Sequence, residues 1–98
     1  MSAHEVRSIA RQMRAERITC DALWFDIDYM EGYRCFTWDR ERFADPRTLT
    51  DELRRQNFRS IVMLDPGLAV GDDPITRSGL DGEHFVLDAK GRPFLGRV

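Results

Sequence analysis

Near the amino terminus, Val6, Ile9, Ala10 and Met13 recur at helical spacing with arginines between them, and Ser2 is followed three residues later by Glu5. That is a capping box opening an amphipathic helix, which the pattern ends near Arg17. The run Ala22-Leu23-Trp24-Phe25-Asp26-Ile27-Asp28 is apolar and turns acidic at its end. It reads as a strand buried on both faces, with Trp24 and Phe25 in the core and its acidic tip at the carboxyl edge of a sheet. Tyr29 to Asp39 is aromatic and polar with one glycine, and is expected to form a long loop over that edge. Asp45 before Pro46 marks a second helix start, Leu49 and Leu53 supply its inward face, and Asn57 is a left-handed stop. Ser60-Ile61-Val62-Met63-Leu64-Asp65 then repeats the apolar strand with a terminal aspartate. Strand, loop, helix and strand make one βαβ unit, which is expected to be parallel and right-handed. From Pro66 to Gly82 the chain is rich in Gly, Pro and Asp without clear periodicity, so a loop is expected. Phe85-Val86-Leu87 and Phe94-Leu95 flank Asp88-Ala89-Lys90-Gly91-Arg92, which reads as a carboxyl-terminal β-hairpin. Beyond the two acidic-tipped strands there is no internal repeat, and no linker divides residues 1–98, so the chain reads as a single α/β segment.

Composition narrows the partners more than the fold. With 42% hydrophobic and 33% charged residues the chain is ordinary globular protein, and 98 residues allow only a modest core. A net charge of −2 gives no reason to expect nucleic acid or an anionic membrane as partner, which leaves neutral or small-molecule ligands. No apolar run approaches the roughly 20 residues needed to cross a bilayer, and the amino terminus is polar where a secretory signal would be apolar. These features lean towards the cytoplasm without fixing the compartment. Cys20 and Cys35 fit neither a zinc pair nor a redox pair and read as free thiols.

The chemistry sits at the strand tips. Asp26, Asp28 and Asp65 fall at the carboxyl ends of two parallel strands, where ligands bind in α/β proteins. Crowded carboxylates repel and lose hydration, so they persist where hydroxyl donors, a cation or an arginine satisfies them. Sugar binding suits such a site: charged oxygens accept strong hydrogen bonds from ring hydroxyls while aromatic and aliphatic groups cover the ring faces. The alternative for each aspartate is a loop cap or an arginine partner. Of the nearby aromatics, Trp38 is expected to face a pocket or a neighbouring subunit. His4 and His84 read as surface residues.

Taken in order, Cys20-Asp21-Ala22-Leu23-Trp24-Phe25-Asp26-Ile27-Asp28-Tyr29-Met30, Gly32-Tyr33, Phe36-Thr37-Trp38-Asp39, Phe43, Asp45-Pro46 and Leu64-Asp65-Pro66-Gly67 resemble family 31 glycoside hydrolases. So does the closing Asp88-Ala89-Lys90-Gly91-Arg92-Pro93-Phe94-Leu95-Gly96-Arg97-Val98. The likeness covers nearly the whole chain and is thinnest between Val70 and Glu83. It implies a partial (β/α)8, or TIM, barrel and a parent enzyme of the retaining α-glucosidase type, which cleaves by two carboxylates in a double displacement. Both carboxylates lie on later barrel strands in that family. Its nucleophile motif, and the arginine and histidine that complete its sugar site, have no counterpart here, so no catalytic residue is assigned.

What the resemblance carries over is part of the subsite for the non-reducing sugar. Asp26 matches the aspartate that binds the far hydroxyls of the ring, and Ile27 and Met63 match positions that line it. Asp28 and Asp65 are expected to support the pocket. The implied ligand is an α-glucoside, with no metal or cofactor. A closed barrel needs about 250 residues, so this chain is expected to be inactive alone and, with open strand edges, prone to self-association. Two other readings stay open: a metal-dependent sugar-nucleotide transferase or phosphatase using Asp26 and Asp28, whose acid-x-acid spacing suits hard cations, and a non-catalytic carbohydrate-binding module.

Overall fold

A computed structural model describes residues 1–65 and 67–97. The chain divides into two compact units, Met1–Gly67 and Leu68–Val98.

In the first unit, helix α1 spans Ala3–Ala15. The Ser2 hydroxyl accepts from the Glu5 amide at 3.4 Å and donates to the Glu5 carboxylate at 3.0 Å, so the expected cap forms. Val6 and Ala10 are buried, whereas Ile9 of the same predicted stripe is largely exposed. Strand β1 is Ala22–Phe25, helix α2 is Pro46–Arg55 and strand β2 is Arg59–Val62. The two strands pair in parallel, Ala22 with Arg59 through Phe25 with Val62, which gives the β-α-β order expected. Helix α2 starts as its sequence dictates: Asp45 accepts from the Thr48 amide at 3.0 Å and Pro46 opens the first turn. Leu49 and Leu53 are fully buried, and Asn57 takes the left-handed conformation at φ 61°.

Both strands are shorter than the apolar runs that predicted them. Asp26 accepts from the Ile27 amide and caps a 3-10 turn over Ile27–Tyr29, which bends the chain out of the sheet before Asp28. A second such turn covers Glu31–Tyr33 inside the stretch expected to be loop. The strand is also not buried on both faces. Successive strand residues point to opposite sides, so Phe25 is 1% exposed while Trp24 is 65% exposed, against the expectation that both are core. Phe25 meets Phe43 and Trp38 edge-on, at ring separations of 6.1 and 5.7 Å. Across the base of the unit the Arg14 guanidinium lies 3.7 Å over the Phe58 ring and donates to the Gln56 and Cys20 carbonyls, tying α1 to the segment after α2.

In the second unit, helix α3 spans Pro74–Asp81 where a loop was expected. Asp73 accepts from the Ile75 and Thr76 amides at 2.9 and 3.1 Å and Pro74 follows it, repeating the Asp45-Pro46 start. The Phe85 ring occupies the space where a Cβ on Gly79 would sit, so glycine there lets the ring lie against the helix. The expected hairpin appears as a single antiparallel bridge, Leu87 with Pro93, closed by Asp88, whose carboxylate accepts from the Lys90 and Arg92 amides. Pro66, counted at the start of the expected loop, and Val98 lie outside the described residues. No helix among those described is long and apolar enough to cross a membrane.

The three α-helices among the described residues end alike. Arg17, Asn57 and Glu83 are left-handed, and the next amide bonds back to a carbonyl five residues earlier: Ile18 to Met13, Phe58 to Leu53 and His84 to Gly79, each at 2.9 Å.

Candidate functional site

The carboxyl edge of the strand pair is assembled by the ends of β1 and β2. Phe25 and Val62 are the last paired residues, and the Met63 amide donates to the Phe25 carbonyl at 2.9 Å, so Asp26 and Met63 emerge side by side at one edge. Ile27 follows in the 3-10 turn. Asp26 is exposed, and one of its carboxylate oxygens holds the Ile27 amide at 2.8 Å. The other oxygen has no partner among the described residues, so its acceptor capacity is intact. Met63 is 42% exposed and Ile27 half-buried, apolar groups beside an anionic acceptor.

The other two predicted acids have surroundings of their own. Asp28 has turned into the 3-10 segment and accepts from the Tyr33 hydroxyl at 3.2 Å. Asp65 lies three residues beyond Val62 and is exposed, with no side-chain hydrogen bond to a described residue. Among the described residues no three His, Cys, Asp or Glu side chains, Asp26, Asp28 and Asp65 included, are grouped so as to hold a metal ion. His4 and His84 are exposed, and both cysteines are free.

Trp38 is part of the aromatic cluster of its unit. It is half-buried and packs against Tyr29 at 4.7 Å and Phe43 at 5.3 Å. The Asp39 amide donates to the Tyr29 carbonyl at 2.9 Å, which holds the tryptophan segment in place. The Asp39 carboxylate accepts from the Arg42 and Glu41 amides and the Arg42 guanidinium, and these bonds hold its pKa below the ordinary range. It is a clamp on its own loop. The exposed aromatics of the loop are Tyr33 and Phe36, both with left-handed backbones, φ 59° and 63°. Such conformations cost energy in bulky residues and concentrate at ligand sites.

The buried member of the edge is Tyr29, which sequence reading left among the loop aromatics. Its hydroxyl donates to the Met63 carbonyl at 3.0 Å, across 34 residues of chain. Burial raises its pKa above the ordinary value of 10.0, and the neighbouring Cys35 adds to the rise, so the hydroxyl stays a donor throughout the physiological range. Cys35 is itself buried, its thiol donating to the Asp65 and Gly67 carbonyls at 3.3 and 3.4 Å.

A parallel strand pair with a connecting helix and an open, acid-bearing carboxyl edge is the repeating unit of (β/α) barrels. Residues 1–97 match the glycosyl hydrolases family 31 TIM-barrel domain, and the chain belongs to that family. Among individual proteins it is 36% identical to Alpha-glucosidase 2 of Bacillus thermoamyloliquefaciens, covering 96% of this chain and 12% of that protein. It superposes on a family 31 alpha-glucosidase from Bacteroides thetaiotaomicron with a TM-score of 0.75 at 38% identity, over 92% of this chain and 16% of that one. A complex of ER glucosidase II, comprising the catalytic subunit and the binding domain of the regulatory subunit, aligns with a TM-score of 0.84 at 25% identity, over 97% of this chain and 10% of the other. The chain thus spans about a tenth of the length of the curated relatives it matches, 12% of the first and 10% of the next.

Proposed function

We propose that this segment supplies part of the non-reducing sugar subsite of a retaining α-glycosidase of the α-glucosidase type, with the nucleophile and the acid/base outside these 98 residues. The observation that carries the reading is the side-by-side emergence of Asp26 and Met63 at the carboxyl edge, with Ile27 beside them. In this reading the free oxygen of Asp26 accepts from the far hydroxyls of a glucose-type ring. A charged acceptor suits paired hydroxyls because it bonds both without needing a proton of its own, and a sugar that cannot donate there leaves the charge unsatisfied. Ile27 and Met63 cover the apolar CH surface of the ring. Asp28, held by Tyr33, and the exposed Asp65 shape the wall and keep the edge anionic.

The test uses the purified chain with methyl α-D-glucoside and 4-nitrophenyl α-D-glucoside. Saturable binding of the first, lost by at least tenfold in Asp26→Ala, is the expected result, since a hydrogen bond to a charged group contributes about 1.5–3 kcal/mol. Release of 4-nitrophenol is expected to be undetectable. Release that vanishes with Asp26→Ala would place the reacting carboxylate within this chain and overturn the assignment.

A further inference from the structure

We infer that Tyr29 is a positioning residue which sets the spacing between Asp26 with Ile27 on one side of the edge and Met63 on the other. The inference deepens the sugar-subsite reading and rests on it for its functional meaning.

Three bonds converge on this role. The Tyr29 amide donates to the Asp26 carbonyl at 3.1 Å, closing the 3-10 turn that aims Asp26 and Ile27. The Tyr29 hydroxyl reaches over to the Met63 carbonyl at 3.0 Å. The Met63 amide in turn donates to the Phe25 carbonyl at 2.9 Å, so both backbone polar atoms of Met63 are bound to the β1 side, one through the strand ladder and one through a tyrosine. The edge lies beyond the last paired residues, Phe25 and Val62, where ladder hydrogen bonding alone no longer fixes register. A single rigid side chain replaces it.

The ring itself is braced. Tyr29 is 2% exposed, Trp38 lies against it at 4.7 Å, and its carbonyl accepts from the Asp39 amide. A buried phenol hydroxyl needs a partner, and Met63 supplies it. Removing only the hydroxyl keeps the packing and frees one carbonyl, so the predicted lesion is local: the Met63 side of the edge drifts relative to Asp26. Displacements of the order of 1 Å are enough to weaken a preorganised site.

The experiment compares the full 98-residue chain with its Tyr29→Phe variant by NMR, first without sugar. The amide signals of Asp26, Ile27 and Met63 are expected to shift and Met63 amide exchange to quicken at least tenfold, while Leu49 and Leu53 methyl signals stay in place. Unchanged edge signals overturn the inference. Should Tyr29→Phe lose the Leu49 and Leu53 signals as well, the wild type decides: a deuterium isotope shift at the Met63 carbonyl carbon supports the tyrosine strut, and its absence overturns it. Methyl α-D-glucoside titration follows, with Leu53→Val as a control that lowers melting temperature without touching the edge. Tyr29→Phe is expected to lose at least threefold in affinity and Leu53→Val to keep it; equal losses mean a merely structural role. If the wild type itself binds no sugar, the subsite reading falls, and the sugar-free spectra still judge the positioning of the edge.

Discussion

The two units are held together by different means. Every buried residue among those described, from Val6 to Phe58, lies in Met1–Gly67; the described part of Leu68–Val98 contributes none. The first unit has a hydrophobic core with aromatic rings edge to edge, whereas the second is shaped by a capped helix, one bridge and the Asp88 turn. Burial stabilises in proportion to area removed from water, while exposed caps and ion pairs contribute little each. The candidate sugar-facing residues all sit in the unit with the core. A site that must be preorganised needs side chains locked by packing, and only that unit supplies it.

Truncating the core should have the largest effect. Leu53→Ala removes a fully buried side chain between α2 and the rest of its unit, and such changes cost about 2–5 kcal/mol. A small domain has little more than that in total. The expected outcome is loss of dispersed amide signals throughout residues 1–67 and a collapsed denaturation midpoint. A change in midpoint of under a tenth would mean the core is not what holds this unit. The same comparison predicts a second, smaller contrast in the native chain: amides of β1, β2 and α2 should exchange far more slowly than those of α3, because local opening follows the density of buried apolar contacts.

At the third level, Asp73→Ala should unwind α3, whose first turn depends on that carboxylate for two backbone amides and the Thr76 hydroxyl. Asp45→Ala removes the equivalent cap from α2, where Leu49 and Leu53 still anchor the helix. The expected result is loss of α3 medium-range NOEs in the first variant and retention of α2 ones in the second. Equal retention would show that α3 has packing of its own that its exposure does not reveal.

The same contrast decides what the sequence disclosed. Helices α1 and α2 were readable because a cap and an apolar stripe coincide in each, and the βαβ order followed from two acidic-tipped apolar runs. Helix α3 carries the same Asp-Pro start as α2, but its apolar residues give no clear stripe and Gly79 interrupts it, so the cap signal stood alone and passed for a turn. Strand lengths were overestimated because apolar composition continues through Ile27 and Leu64 after pairing has ceased. The candidate site residues Asp26, Ile27 and Met63 came from the resemblance to family 31, and the fold sets Asp26 and Met63 side by side. The Tyr29 bond to Met63, and the packing of Trp38 against Tyr29, join residues through the fold and leave no local pattern to read.

The smallest effect, and the most selective, is on pH. Asp45 and Asp73 have pKa values held below the ordinary 3.8, chiefly by hydroxyl bonds from Thr48 and Thr76, then by the amides of the same residues. A depressed carboxylate favours the folded state above its unfolded pKa, and that contribution fades as pH falls through the folded value. Acid below about pH 4 should therefore loosen helix starts in both units. Tyr29 works in the opposite sense. Its pKa is raised by burial, so its contribution is complete below the ordinary 10.0 and is lost as pH rises through the higher folded value. Both tyrosines, Tyr29 and Tyr33, belong to the first unit. Alkaline titration followed by carbon NMR, whose signals base-catalysed amide exchange does not erase, should then shift the Met63 and Asp26 carbonyls while α3 carbonyls hold, as the phenolate forms and its bond to the Met63 carbonyl fails. If α3 responds first or together with them, the alkaline transition belongs to some other group, and the strut at the edge is not what the pH reads.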